Sequence, residues 1–66
     1  MNNIKTIREK SGMQQSQLAE VLGLTQGAIS QWEIGLTTPS IDNLKKLASI
    51  FGCTVDELLA DPKEAA

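Results

Sequence analysis

Three features of this 66-residue sequence predict an all-α domain of five short helices around one core. Apolar residues recur at helical spacing, most cleanly at Leu44, Leu47, Ala48 and Phe51, which stand at i, i+3, i+4 and i+7. Gly12, Gly23, Gly35 and Gly52 follow successive periodic segments, where a left-handed residue ends a helix. No stretch alternates apolar and polar residues as a half-buried strand does. The length allows one domain, expected over residues 1–61 with a flexible tail at 62–66, and a core that is marginal unless its helices pack tightly or a partner helps.

The first helix is expected to be capped by Asn2 or Asn3 and to run through Lys10, with Ile4 and Ile7 facing inward and Gly12 ending it. The second spans about Gln15 to Leu22, with Leu18 and Leu22 four apart on one face. Its N-cap position falls on Gln14, a weak capping residue, so this end should fray or rely on Gln15 and Ser16. Gly23 supplies the positive φ that turns the chain, and Thr25 offers a hydroxyl cap for a third helix at about Gln26 to Glu33. Ile29 and Trp32, three apart, point inward there. Leu36 to Ser40 reads as a loop, with Pro39 just outside a fourth helix at about Ile41 to Phe51 that Ser40 caps. Thr54-Val-Asp-Glu57 has the pattern of a capping box and starts a short fifth helix burying Val55 and Leu58, with Leu59 as a further candidate. Asp61-Pro62 should end the ordered chain, leaving Lys63 to Ala66 to fray.

The second and third helices organise the rest, because two short helices joined by a tight turn cannot bury themselves alone. They form a helix-turn-helix whose third helix turns Gln26, Gly27, Ser30 and Gln31 outward, hydrogen-bonding groups without charge. The run Gln15-x-x-Leu18-Ala19-x-x-x-Gly23-x-x-Gln26-x-x-Ile29-Ser30-x-Trp32-Glu33-x-Gly35, then Pro39, Leu44, Leu47-Ala48 and Val55 to Leu59, resembles the Cro and cI repressor-like, or XRE, family. The resemblance covers about Ile4 to Leu59 and joins core, turn and surface positions at fixed spacing. It implies a compact lambda-repressor-like domain that binds double-stranded DNA in a sequence-specific way, as a small transcriptional regulator whose expected action is repression.

Composition alone would not suggest such a protein. The formal net charge is −2, whereas nonspecific DNA affinity comes mainly from Lys and Arg neutralising phosphates. The charge is uneven, however. Residues 1–50 set Lys5, Arg8, Lys10, Lys45 and Lys46 against Glu9, Glu20, Glu33 and Asp42, one positive charge in excess, while Asp56, Glu57, Asp61 and Glu64 crowd the end against Lys63. Cys53 is the sole cysteine and histidine is absent, which argues against a disulfide, a zinc site or a cofactor. No apolar run is long enough for a membrane span and no signal-peptide pattern is present, so a cytoplasmic protein is expected. Asp56 and Glu57 look like capping acids with nothing convergent on them, and no enzyme chemistry is suggested.

The resemblance assigns roles residue by residue. Gln26 falls where the family contacts base edges in the major groove, and an amide can pair bidentately with adenine. Gln15 would bond a backbone phosphate and brace Gln26, and Ser30 or Gln31 would reach a base one turn along. Thr25, Thr37, Thr38 and Ser40 fall among positions that grip DNA, with the fourth helix's N-terminal N–H groups on phosphate and Asn43, Lys45 or Lys46 assisting. Gly27 departs from the family, many members of which carry a discriminating side chain there. It reads equally as a first-turn glycine of little consequence or as a functional departure, either a point of close backbone approach to DNA or a reduction in readout. Arg8 and Glu33 match positions joined in relatives by a partly buried ion pair. Trp32 is expected in the core, and Cys53, where valine is usual, as a small buried hydrophobe.

A two-fold dimer on an inverted repeat is implied, with contact through about Val55 to Pro62 and Leu59 as its apolar centre. Asp56, Glu57 and Asp61 near the axis would keep it weak. A rival reading is a protein-interaction module, such as the antitoxin half of a toxin-antitoxin pair or an adaptor that has lost DNA binding, which the negative charge and Gly27 would favour.

Overall fold

The computed structural model describes residues 2–61, and the expected tail at 62–66 lies outside them. Five helices form: α1 (Ile4–Lys10), α2 (Gln15–Leu22), α3 (Gln26–Glu33), α4 (Ile41–Phe51) and α5 (Val55–Leu59). No strand is present among the described residues. Each helix contributes one side chain with no exposed surface, Ile4, Leu18, Ile29, Leu47 and Leu58 in chain order. These meet in one core, completed by Ala19, Trp32 and Leu44. Burying an aliphatic side chain of this kind is worth about 1.5–3 kcal/mol, so a domain this small leans on all five. Helix α2 packs on α3 and α4 on α5, while α1 touches both α3 and α5.

The helix ends follow local chemistry. Gly12, Gly23, Gly35 and Gly52 have φ of 73°, 71°, 80° and 65°. At Gly23 this lets Leu24 N–H return to the carbonyl of Ala19 at 2.8 Å, so that α3 leaves in a new direction directly after α2. The hydroxyls of Thr25, Ser40 and Thr54 accept from the N–H groups of Ala28, Asn43 and Glu57 at 3.2, 3.2 and 3.1 Å.

Four local expectations are refined. Asn2, not the adjoining Asn3, gives its side-chain oxygen to Ile4 N–H at 3.1 Å, and its amide also donates to the Trp32 carbonyl at 2.7 Å, clamping α1 to the end of α3. Asn3 is itself buried, and its N–H donates to Leu58 O at 2.9 Å. The start of α2 depends on neither Gln15 nor Ser16; Gln17 reaches back to accept from Gln14 N–H at 2.8 Å, since its longer chain spans one turn. At Thr54 the hydroxyl also donates to the Glu57 carboxylate at 3.3 Å. Leu59, a candidate for burial in the sequence, is 44% exposed, because a five-residue helix can aim only one stripe inward and Leu58 occupies it.

Candidate nucleic-acid interface

The outer face of α3 carries the side chains singled out in the sequence. Gln26, Gly27 and Gln31 are exposed and Ser30 is half-buried, all held on a helix whose inner face is pinned by Ile29 and Trp32. Thr25 is exposed, with its hydroxyl engaged as the N-cap. At Gly27 an added Cβ would meet only Thr25 Oγ1, at 3.8 Å, an ordinary contact. Glycine is therefore not required there by the chain itself.

Behind this face runs a chain of polar contacts. Arg8 Nε donates to Glu33 Oε2 at 2.6 Å and Arg8 Nη2 to Oε1 at 3.2 Å, a two-point pair in which both side chains are buried. The third direction of the guanidinium is taken by the Met13 carbonyl at 2.7 Å. The hydrogen bond to Glu33 raises the Arg8 pKa above its usual value, against the opposing effect of burial, with the charges of Glu33 and Glu9 adding to it. Arg8 thus remains a cation committed to the interior and is not available to phosphate. Glu33 Oε1 also accepts from Gln15 Nε2 at 2.9 Å, and Gln15 Oε1 accepts from Gln26 Nε2 at 3.3 Å. Four residues from three helices are linked in one line that ends at the protein surface.

The loop after α3 lies beside this face in sequence and begins from it. Leu36 and Thr37 N–H both donate to the Gln31 carbonyl, at 2.9 and 3.3 Å, which folds the loop back on the helix. Thr37, Thr38 and Ser40 are exposed and Asn43 is half-buried. Ser40 spends its oxygen on the Asn43 N–H, so its own cap is secure whatever else it contacts. Lys45 and Lys46 are exposed on α4, and Asp56 and Glu57 on α5. Ile34 is 65% exposed, and it lines a shallow depression with Asn2, Gly35, Thr37, Thr38 and Leu59. Sequence reasoning pointed to Leu59 alone and missed Ile34, although an isoleucine one residue past the end of α3 was a signal of surface apolarity.

Two other features stand apart from this face. Cys53 is half-buried against the core, and burial, with the Glu57 charge, pushes its thiol pKa up. Among the described residues no group of three His, Cys, Asp or Glu could hold a metal, and no helix is long and apolar enough to cross a membrane.

A helix-turn-helix family model matches residues 4–58. The sequence is 39% identical over 57 residues to the HTH-type transcriptional activator BcrR of Enterococcus faecalis, covering 86% of this chain and 28% of that protein. It is 38% identical over 56 residues to repressor protein C2 of Salmonella phage P22, covering 85% of this chain and 26% of that protein. In three dimensions it is similar, with a TM-score of 0.84 and 28% identity, to a Bacteroides fragilis chain described as a candidate DNA-binding protein; 91% of this chain and 97% of that one are covered. The chain spans about a quarter to a third of the length of such curated relatives.

Proposed function

The chain belongs to the helix-turn-helix family of Cro and cI repressor-like, or XRE, transcriptional regulators, and we propose that it binds a duplex operator sequence-specifically and represses transcription. Helix α3 lies in the major groove, where Gln26 pairs with a base edge and Ser30 or Gln31 reads a second position. Gln15, Thr25, Thr37, Thr38 and Ser40, with the α4 N-terminus and Asn43, hold the phosphates. Binding here depends on amides, hydroxyls and helix ends more than on lysine. The single observation that carries this reading is the outer face of α3, a row of uncharged hydrogen-bonding groups open to solvent on a helix fixed from behind. Repression is preferred to activation on the family resemblance alone, repressor protein C2 of phage P22 being among the relatives. The protein acts in the cytoplasm, without a cofactor and not as an enzyme.

The bound form is a two-fold dimer on an inverted repeat. One α3 reads only a few base pairs, and a monomer this poor in cations would hold DNA little better than nonspecifically, at roughly 10⁻⁴–10⁻⁶ M. Two copies place their α3 helices in successive major grooves, with half-sites about 34 Å apart. Leu59, together with Ile34 beside it, supplies the apolar contact, and Asp56 and Glu57 on the same short helix keep the free dimer weak.

Selection from random duplexes tests both claims. The expected result is an inverted repeat bound as a two-to-one complex, with affinity falling steeply as salt rises. An interaction module without DNA function would enrich no motif and show no salt slope. A one-to-one complex on the full repeat, no tighter than on a half-site, would remove the dimer.

A further inference from the structure

The carboxylate of Glu33 is an acceptor at both oxygens and can donate nothing. The end of the Gln15 amide that faces it at 2.9 Å must therefore be the nitrogen. That leaves the Gln15 oxygen facing Gln26, whose Nε2 meets it at 3.3 Å as the donor that an oxygen favours there. One N–H of Gln26 is thereby used inside the protein, and the side chain is left with Oε1 as an acceptor and one N–H as a donor. Those two groups match the N6 donor and N7 acceptor of adenine in the major groove.

The terminal torsion of a free glutamine is broad and roughly two-fold, so its amide can turn over at little cost and nothing local to Gln26 prefers one order of donor and acceptor to the other. Glu33 removes that freedom through Gln15, and Arg8 in turn holds both carboxylate oxygens, so the carboxylate cannot rotate away.

We propose that the buried Arg8–Glu33 pair is a positioning device for base recognition: acting through Gln15, it fixes the direction of the Gln26 amide and so selects an A·T pair. This rests on the reading that Gln26 contacts a base. Neither Arg8 nor Glu33 touches DNA, and their effect is relayed by two hydrogen bonds.

The test uses the full chain and a duplex recovered by selection, with the base pair under Gln26 kept as A·T or replaced by G·C, at a temperature where every variant is folded. The readout is the ratio of the two dissociation constants, which a merely structural pair would not move. Gln26→Ala should reduce the ratio to near one. Glu33→Gln restores a group that can face Gln15 with either end, and should lower the ratio about tenfold. In a Gln15→Ala background the same Glu33→Gln change should do nothing further, because the relay is already cut. If Gln26→Ala lowers the ratio and Glu33→Gln does not, positioning is overturned and base reading stands. If Gln26→Ala leaves the ratio unchanged, base reading fails and the positioning role fails with it. Should Glu33→Gln not fold, the wild-type protein decides by NMR. The side-chain amides of Gln15 and Gln26 should be ordered relative to that of exposed Gln31, and equal mobility of all three would overturn the proposal.

Discussion

Local caps occur in both halves of the molecule, at Thr25 as at Ser40 and Thr54, but only in the first half do side chains, those of Asn2, Arg8, Gln15 and Gln26, also carry the described hydrogen bonds from one helix to another. Helices α4 and α5 are placed by apolar burial through Leu44, Leu47 and Leu58. Burial is strong but not directional, so it fixes how close two helices lie better than how each is turned. Hydrogen bonds near 2.9 Å have a narrow angular range and do fix rotation. The half with the outward amides, proposed to read base edges, is the half whose rotation is fixed by hydrogen bonds, and the half proposed to add only phosphate contacts is held by packing and caps.

The contrast can be broken first at Arg8. Arg8→Met leaves Glu33 buried without its cation and should destabilise the domain by about 3–5 kcal/mol, a large part of what so small a fold possesses. A melting temperature within error of wild type would mean that the pair is solvated and the two halves are held alike. Leu47→Ala sharpens the comparison from the other side. It should lower stability by about 2–5 kcal/mol as the cavity opens, yet leave the base preference of the folded protein untouched. A shifted preference in that variant would show that packing in α4 also steers α3.

Smaller effects separate the two faces of the site. Gly27→Ala should raise stability by about 0.5 kcal/mol, less than the full helix-interior preference for alanine because the site is in the first turn, and the new Cβ finds only one contact at 3.8 Å. A urea midpoint that falls instead would show a constraint at the start of α3 that its open surroundings do not reveal. The smallest effect belongs to Cys53. Its folded-state pKa is raised by burial first and by Glu57 second, so the protonated thiol is favoured in the fold. Its contribution is complete below the unfolded thiol pKa and is lost as pH rises through that value toward the folded one. Between about pH 7 and about pH 10 the wild type should therefore lose more stability than Cys53→Val, measured as the difference in urea midpoints. Parallel curves would contradict the shift.

Helices α3 and α4 lie where their spacing and caps put them, because the signals are local: a hydroxyl before each, a glycine after each and one apolar stripe between; α2 matches by its stripe and Gly23, although its start rests on Gln14 and Gln17. What depends on how helices cross was less readable. Nothing beside Asn2 in the sequence says that its amide meets the Trp32 carbonyl, and nothing near Gln15 says that it meets Glu33. Polar partners this distant are set by the packing angle, which periodicity does not encode. The ion pair entered the reading through family resemblance and not through the two residues themselves, since a lone arginine on the inward side of α1 is also compatible with a solvated head. The exposure of Ile34 escaped for a related reason, as a residue past a helix end has no face assigned by spacing.

The bond from Asn3 N–H to Leu58 O joins the first helix to the last. Helices α2 with α3 and α4 with α5 can each meet after closing only a short loop, whereas this contact requires almost the entire chain to be in place. The domain should therefore assemble from two neighbouring helix pairs and be sealed by α1, which makes the seal the last step to form and a contact that breaks only when the whole domain opens. The Asn3 amide proton is a single reporter of that event. Its exchange with solvent should follow the opening of the whole domain, at a rate matched by the amides of the core turn around Leu47, and exchange far faster than those would place α1 outside the cooperative unit.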